Sequence, residues 1–427
     1  MQGLPGPSGR LRTTWAVIHH PEAAYARWRA RYGDTFVLRV TNGDVVVSCD
    51  PAFVQDYLKL TDDEHAPFAI DAVRGVLGAG SMIAAGGAAH RRQRRLVGPH
   101  FGGERMRAYA GVVGEIARAR VAAWRGELRL MDEMRPISQD VIIRAVFGAE
   151  SEASVARYRG EIDDVIRHLS PLFFFSPGMQ RRFLGLGPWG RFCDARARLG
   201  AHLRADVEAR RASGALGDDI LSCLAGAVDE DGSVLSVDEV CEQLWTLLFA
   251  GHETTQIALA WAVYWLLKTP DALARLRAEL AGAGSDPVAR ARLPYLDAVA
   301  HETLRLHPIV PDNQRTLTVA KVLGGVSLPA GCHVAVAAAM THMRADLYPE
   351  PGRFRPERFV EERARPWAFL PFGGGVRRCI GAGLAMFELK VVLAEVVMGA
   401  ELRLLGDEVA VRRNITMAPK GVRVRVG

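Results

Sequence analysis

A chain of 427 residues that is 49% hydrophobic and 24% charged has enough apolar side chains for a large core, which excludes global disorder. Lys and Arg total 54 against 48 Asp and Glu, a net charge of +6 that is too diffuse to announce a nucleic-acid binder. Cys49, Cys193, Cys223, Cys241, Cys332 and Cys379 form no CxxC pair, so neither a zinc site nor a disulfide scaffold is expected, and a reducing cytoplasm fits.

The opening stretch MQGLPGPSGRLRTTW lacks the apolar run of ~7–15 residues that a signal peptide needs, so neither leader nor membrane anchor is expected. Residues 35–48 alternate β-branched and aromatic side chains around Asn42-Gly43, which predicts a hairpin within a β-rich part at about 30–60. An α-rich bulk follows at about 85–310. Its most apolar segment, Leu244–Leu267, is interrupted by His252 and Glu253, leaving less than the ~18 charge-free residues of a spanning helix and predicting a helix buried in protein. Another helix is expected from Pro294 to Leu306. Beyond it come short β-like runs, Val319–Val326 and His333–Ala337, and a long irregular stretch, Tyr348–Gly375, of the kind that is usually functional. A β and loop part at 311–381 and a helix with a β tail at 382–427 complete the chain. With no internal repeat or linker, the expected fold is mainly α with a minor β region: one integrated domain over 1–427 with small N-terminal and C-terminal sheets.

The segment Phe372 to Gly381 carries the strongest chemistry. One cysteine stands among glycines and two arginines just before a helix, where backbone N–H groups approach closely and cationic surroundings favour a thiolate. Leu384, Phe387, Val391 and Val392 recur at helical spacing and would hold that helix to the core. The bland alternative is an inert cysteine in a glycine-rich turn; the phosphate-loop pattern GxxxxGK[ST] is absent. Phe372, Gly375, Arg377, Cys379 and Gly381 fill every fixed position of F-x-x-G-x-[RH]-x-C-x-G, and the chain thereby resembles the cytochromes P450. Ala250-Gly-His-Glu-Thr-Thr255, Glu302-Thr-Leu-Arg305, Pro356-Glu-Arg-Phe359 and His90-x-x-x-Arg94 extend the resemblance over residues of about 80–420.

The resemblance implies the cytochrome P450 fold and haem b with Cys379 as axial iron ligand. It assigns the propionates to His90, Arg94, Arg315 and Arg377, and places Ala250, Gly251, Phe372, Gly373 and Gly381 against the cofactor. It makes Glu253 and Thr254 the catalytic pair, opening their helix locally to hold water and pass protons to dioxygen; Glu replaces the commoner Asp. His252 reads as a satisfied buried histidine. Glu302 and Arg305, three apart on one helix face, would form a structural triad with Arg358, against the alternative of a solvated ion pair. The pocket would be lined by Phe68, Met82, Phe173, Phe174, Ile309, Val310, Ile415 and Thr416, with Phe175 and Asn414 nearby, although adjacent phenylalanines also suit ordinary core or an entrance lid.

The implied function is a monooxygenase that inserts one oxygen atom of O2 into a C–H bond, by hydroxylation or epoxidation. Its substrate would be an apolar small molecule such as a fatty acid, terpenoid, steroid or polyketide. Electrons would come from NAD(P)H through a ferredoxin or flavodoxin and its reductase, docking at Arg91, Arg92, Arg95 and Arg378. Alternatives are a haem-thiolate sensor without turnover and a peroxide-driven peroxygenase. A cytoplasmic monomer is expected, with no nucleic-acid partner.

Overall fold

The computed structural model describes residues 3–427 except 176, 183–186, 215–216, 407–408 and 414, and the side chains of these residues except 103–108, 175, 177 and 412. Its architecture is mainly α with small sheets, and the chain divides into two compact units.

The first unit comprises Met1–Phe68, Val113–Arg135 and Thr254–Gly427. Helices Arg10–His19 and Pro21–Tyr32, which the sequence reading did not anticipate, precede the hairpin; Pro21 starts the second, where its missing N–H costs nothing. In the hairpin Thr35–Val40 pairs with Gly43–Ser48 in the register Val40↔Gly43. The turn residues are therefore Thr41-Asn42, not Asn42-Gly43, and Gly43, at φ +130, opens the second strand.

The expected N-terminal sheet is also larger than a local hairpin. Gly43–Ser48 pairs in parallel with His333–Val336, which pairs antiparallel with Asn313–Leu317 and so reaches His65–Pro67. Alternation divides its side chains between two apolar clusters: Val37, Val46, Val334 and Val336 pack in one, Phe36, Leu38, Val45, Val47 and Ala335 in the other. The run Val319–Val326 is not one strand. Lys321–Leu323 and Val326–Leu328 fold back on each other around Gly324 and Gly325, at φ +53 and +79. A Cβ on Gly324 would lie 2.6 Å from the Phe53 amide nitrogen.

Helix Pro294–Leu306 has the expected bounds, with Pro294 in its first turn. Helix Ala382–Gly399 is buried all round from Val391 to Val397 rather than on one face. Its buried Glu395 is matched by Arg290 at 3.3 Å and Arg118 at 3.1 Å, as a carboxylate there must be. At the C-terminus Arg423–Val426 lies between Glu127–Arg129 and Leu402–Leu405, while Ala410–Arg413 pairs with Met417–Lys420.

The second unit, Ala69–Val112 and Pro136–Glu253, is helical. Helix Glu152–His168 starts where the Ser151 side chain accepts the Ser154 amide. It packs on Pro188–Ser213, with Tyr158 stacked on His202 at 4.1 Å. Helix Val237–Lys268 belongs to this unit as far as Glu253. Among the described residues no helix is long and apolar enough to cross a membrane.

Candidate active site

The Cys379 loop is shaped by close approach. The Cys379 amide donates to Phe372 O at 2.9 Å, and Gly373 and Gly375 sit at φ +64 and +62, the region glycine tolerates best. A Cβ on Gly375 would lie 2.2 Å from Leu58 O, and one on Gly374 2.6 Å from Leu58 Cδ2. A side chain at either position would push the loop off the helix Pro51–Leu58. Gly381 caps the helix that follows.

Burial separates Cys379 from the other thiols. None of the six cysteines is in a disulfide, and Cys379 alone is exposed. Burial pushes the Cys49 thiol up to about 12 and Cys241 up to about 11, and raises Cys332, which disfavours thiolates there.

Cations stand in and beside the loop. The buried Arg315 guanidinium lies over the Tyr57 ring at 4.2 Å and donates to Tyr57 O at 3.0 Å and Gly374 O at 3.2 Å. Arg377 Nε lies 3.3 Å from Asp62 Oδ1. Tyr57 and Asp62, which orient these arginines, belong to no motif, and their partners are more than two hundred residues away in sequence. One accessible sulfur with guanidinium groups around its loop suits a haem and its anionic propionates. In the second unit, helix Gly87–Val97 carries buried His90 and half-buried Arg94 one turn apart.

The structure brings Glu302, Arg305 and Arg358 together. Arg305 Nε donates to Glu302 Oε2 at 2.7 Å, and Arg305 Nη2 and Arg358 Nε to Oε1 at 2.9 and 3.0 Å. The Arg355 amide adds a fourth bond to Glu302, at 2.8 Å. The remaining Arg305 donors reach the carbonyls of His342, Pro351 and Arg353, so all five of its N–H groups are used. Glu302 and Arg305 side chains are 0% exposed, which rules out the solvated ion pair.

Helix Val237–Lys268 runs unbroken through residues 250–255, without the expected local opening; Ala- and Leu-rich turns on either side favour a closed ladder. Ala250 is exposed and Gly251, Glu253 and Thr254 are half-buried, whereas 255–264 are buried. His252 is buried, its Nδ1 3.0 Å from Leu248 O.

The expected pocket residues divide. Ile309 and Thr416 are buried, Val310 and Ile415 half-buried, and their segments meet where the Met417 amide donates to Ile309 O at 2.8 Å. Phe68 is packed edge-on to His333 at 5.0 Å. In the second unit Met82 is buried, its amide 3.3 Å from Gln243 Oε1, and Phe174 lies 5.5 Å from Phe249. Phe173 is 0% exposed and lies in the core against Trp189 and Phe192. Phe175's side chain and Asn414 lie outside the described residues.

Of the expected docking arginines, Arg91, Arg95 and Arg378 are exposed and Arg92 is half-buried. Arg92 pairs with Asp229 at 3.0 Å and Glu239 at 2.9 Å, and Arg95 with Asp229 at 3.3 Å. These carboxylates offset part of the charge of Arg92 and Arg95.

A family model described as Cytochrome P450 matches residues 12–422. A Mycobacterium tuberculosis protein named as cytochrome P450 135B1 is 35% identical, over 99% of this chain and 91% of its own length. Another from the same organism, named as cytochrome P450 137, is 32% identical over 99% and 90%. Among solved structures, one described as retinoic acid bound cyanobacterial CYP120A1 superposes with a TM-score of 0.85 at 26% identity, covering 100% of both chains. A cytochrome P450DA haem domain reaches 0.86 at 23% identity, over 99% of this chain and 97% of the other.

Proposed function

Because this chain belongs to the cytochrome P450 family of haem-thiolate monooxygenases, we propose that it inserts one oxygen atom of O2 into a C–H bond of an apolar small molecule, with Cys379 as axial ligand. The Cys379 loop carries the reading: one exposed thiol on a glycine-shaped loop, in a chain where burial raises the Cys49, Cys241 and Cys332 thiols and so disfavours their thiolates. Bound haem with a thiolate ligand supplies the dioxygen activation and O–O cleavage.

The residues' parts follow from their chemistry. Arg315 and Arg377, with His90 and Arg94, hold the propionates through charge-assisted bonds. Ala250 and Gly251 present a helix face with almost no side chain to the cofactor, and Phe372, Gly373 and Gly381 frame the ligand loop. Glu253 and Thr254 hold a proton at their side-chain oxygens and deliver it where oxygen is reduced, a role for which the longer Glu still has reach. Ile309, Val310, Ile415 and Thr416, with Phe68, Met82 and Phe174, orient the substrate and exclude water. The acid–alcohol pair favours monooxygenation over the sensor and peroxygenase readings.

Electrons come from NAD(P)H through a ferredoxin or flavodoxin and its reductase, and the chain works in the cytoplasm as a monomeric single catalytic domain over 1–427. Substrates to test first are fatty acids, terpenoids, steroids and polyketides. Retinoic acid, named for the similar cyanobacterial structure, joins that panel as an apolar isoprenoid acid. The test is the reduced, carbon-monoxide-bound spectrum: the parent should show the long-wavelength Soret band of thiolate ligation, and Cys379→His should lose it. An unchanged band in the variant would overturn the ligand assignment.

A further inference from the structure

His342 belongs to no motif read from the sequence, yet it joins the Glu302 cluster to the cysteine loop. It is 0% exposed. Its carbonyl accepts from Arg305 Nη1 at 2.9 Å, and its ring Nδ1 lies 3.0 Å from Arg305 O, so it is tied to Arg305 through both backbone and ring. The other ring nitrogen, Nε2, accepts the Leu370 amide at 2.8 Å. A donor at Nε2 leaves the ring proton on Nδ1, donated to the Arg305 carbonyl. Phe369 stacks on the ring at 5.7 Å and Tyr348 meets it edge-on at 6.3 Å, so it cannot rotate away.

The gripped amide stands where the ligand loop begins. Leu370 O accepts the Gly373 amide at 3.0 Å, and Phe372 O accepts the Cys379 amide at 2.9 Å. One path therefore runs from Glu302 through Arg305 and the imidazole to Leu370, then along two residues of chain to the carbonyl that holds Cys379.

We propose that His342 is a positioning residue for the thiolate: by fixing the Leu370 amide to Arg305, it sets the direction in which the Phe372–Cys379 loop presents its sulfur to iron. This rests on Cys379 being the haem ligand and adds to it the group that aims the ligand. A neutral imidazole suits the task because a rigid ring offers a donor and an acceptor on opposite sides.

Two substitutions in the holoenzyme divide the ring's functions. His342→Gln places an amide oxygen near the Nε2 position and keeps an acceptor for Leu370; His342→Asn places an amide nitrogen near Nδ1 and keeps only the bond to Arg305. The readouts are the Soret band of the reduced carbon monoxide complex and the ferric–ferrous midpoint potential. His342→Asn should show a several-fold larger fraction of the short-wavelength form that marks a lost thiolate, with a displaced potential, while His342→Gln stays close to the parent. Parent-like behaviour in His342→Asn, equal impairment of the two variants, or failure of both to load haem would overturn the proposal in favour of a bare packing role. A parent protein lacking the long-wavelength band would instead refute the Cys379 assignment itself.

Discussion

Replacing Glu302 by alanine removes the acceptor of four hydrogen bonds, from Arg305 Nε and Nη2, Arg358 Nε and the Arg355 amide. Arg305 is 0% exposed and Arg358 9%, so water cannot replace the lost carboxylate, and two guanidinium groups lose their counter-charge. Deleting one partner of a buried pair costs about 3–5 kcal/mol, a large share of the ~5–15 kcal/mol that holds a domain together. Urea unfolding followed by circular dichroism, with haem content read from the Soret band, should show a lowered midpoint and little bound haem. Glu302→Gln, which keeps one acceptor oxygen but turns an amide toward the arginines, should fall between. The comparison is Glu350→Ala, whose pair with Arg353 is 64% and 68% exposed and worth below about 1 kcal/mol. A Glu302→Ala protein that loads haem fully and loses no more stability than Glu350→Ala would refute the reasoning.

With a surrogate ferredoxin and reductase, Thr254→Ala should still bind haem and substrate but form about 10²-fold less product per NAD(P)H consumed, the lower end of the ~10²–10⁴-fold range of positioned proton transfer; parent-like coupling would remove Thr254 from the relay. Arg92→Glu, set against Asp229 and Glu239, should lower the urea midpoint, whereas exposed Arg378→Glu should raise the ferredoxin KM alone, an effect that weakens as salt rises. The reverse pattern would return the docking role to Arg92. Burial first, and the Arg305 guanidinium second, push His342 down to about 3 from an ordinary 6.5. Its neutral ring thus contributes stability that is fully present above pH 6.5 and lost as pH falls toward 3. The stability difference between parent and His342→Gln should therefore shrink across that window, and pH-independent separation of the two curves would contradict it.

The sequence alone determined what short-range rules control. Pro294 set the start of its helix, Glu302 and Arg305 three apart shared a face, and the glycines around Cys379 marked a loop that only glycine can form. The resemblance carried by that loop brought in the haem, Arg358 and the acid–alcohol pair. Where local rules compete, the reading slipped: Gly43 opens a strand rather than closing its turn, and the run expected at Val319–Val326 is split by the turn of a hairpin over Lys321–Leu328. Only the tertiary structure decided that the N-terminal hairpin recruits strands from 313–336, that Phe173 is core, that Arg92 pairs with Asp229, and that His342 bridges Arg305 to Leu370. Chain sterics and helical or strand periods act over a few residues and leave a pattern in the sequence. A hydrogen bond or ion pair between residues tens or hundreds apart is selected by how packed elements meet, so neither partner's neighbours record it.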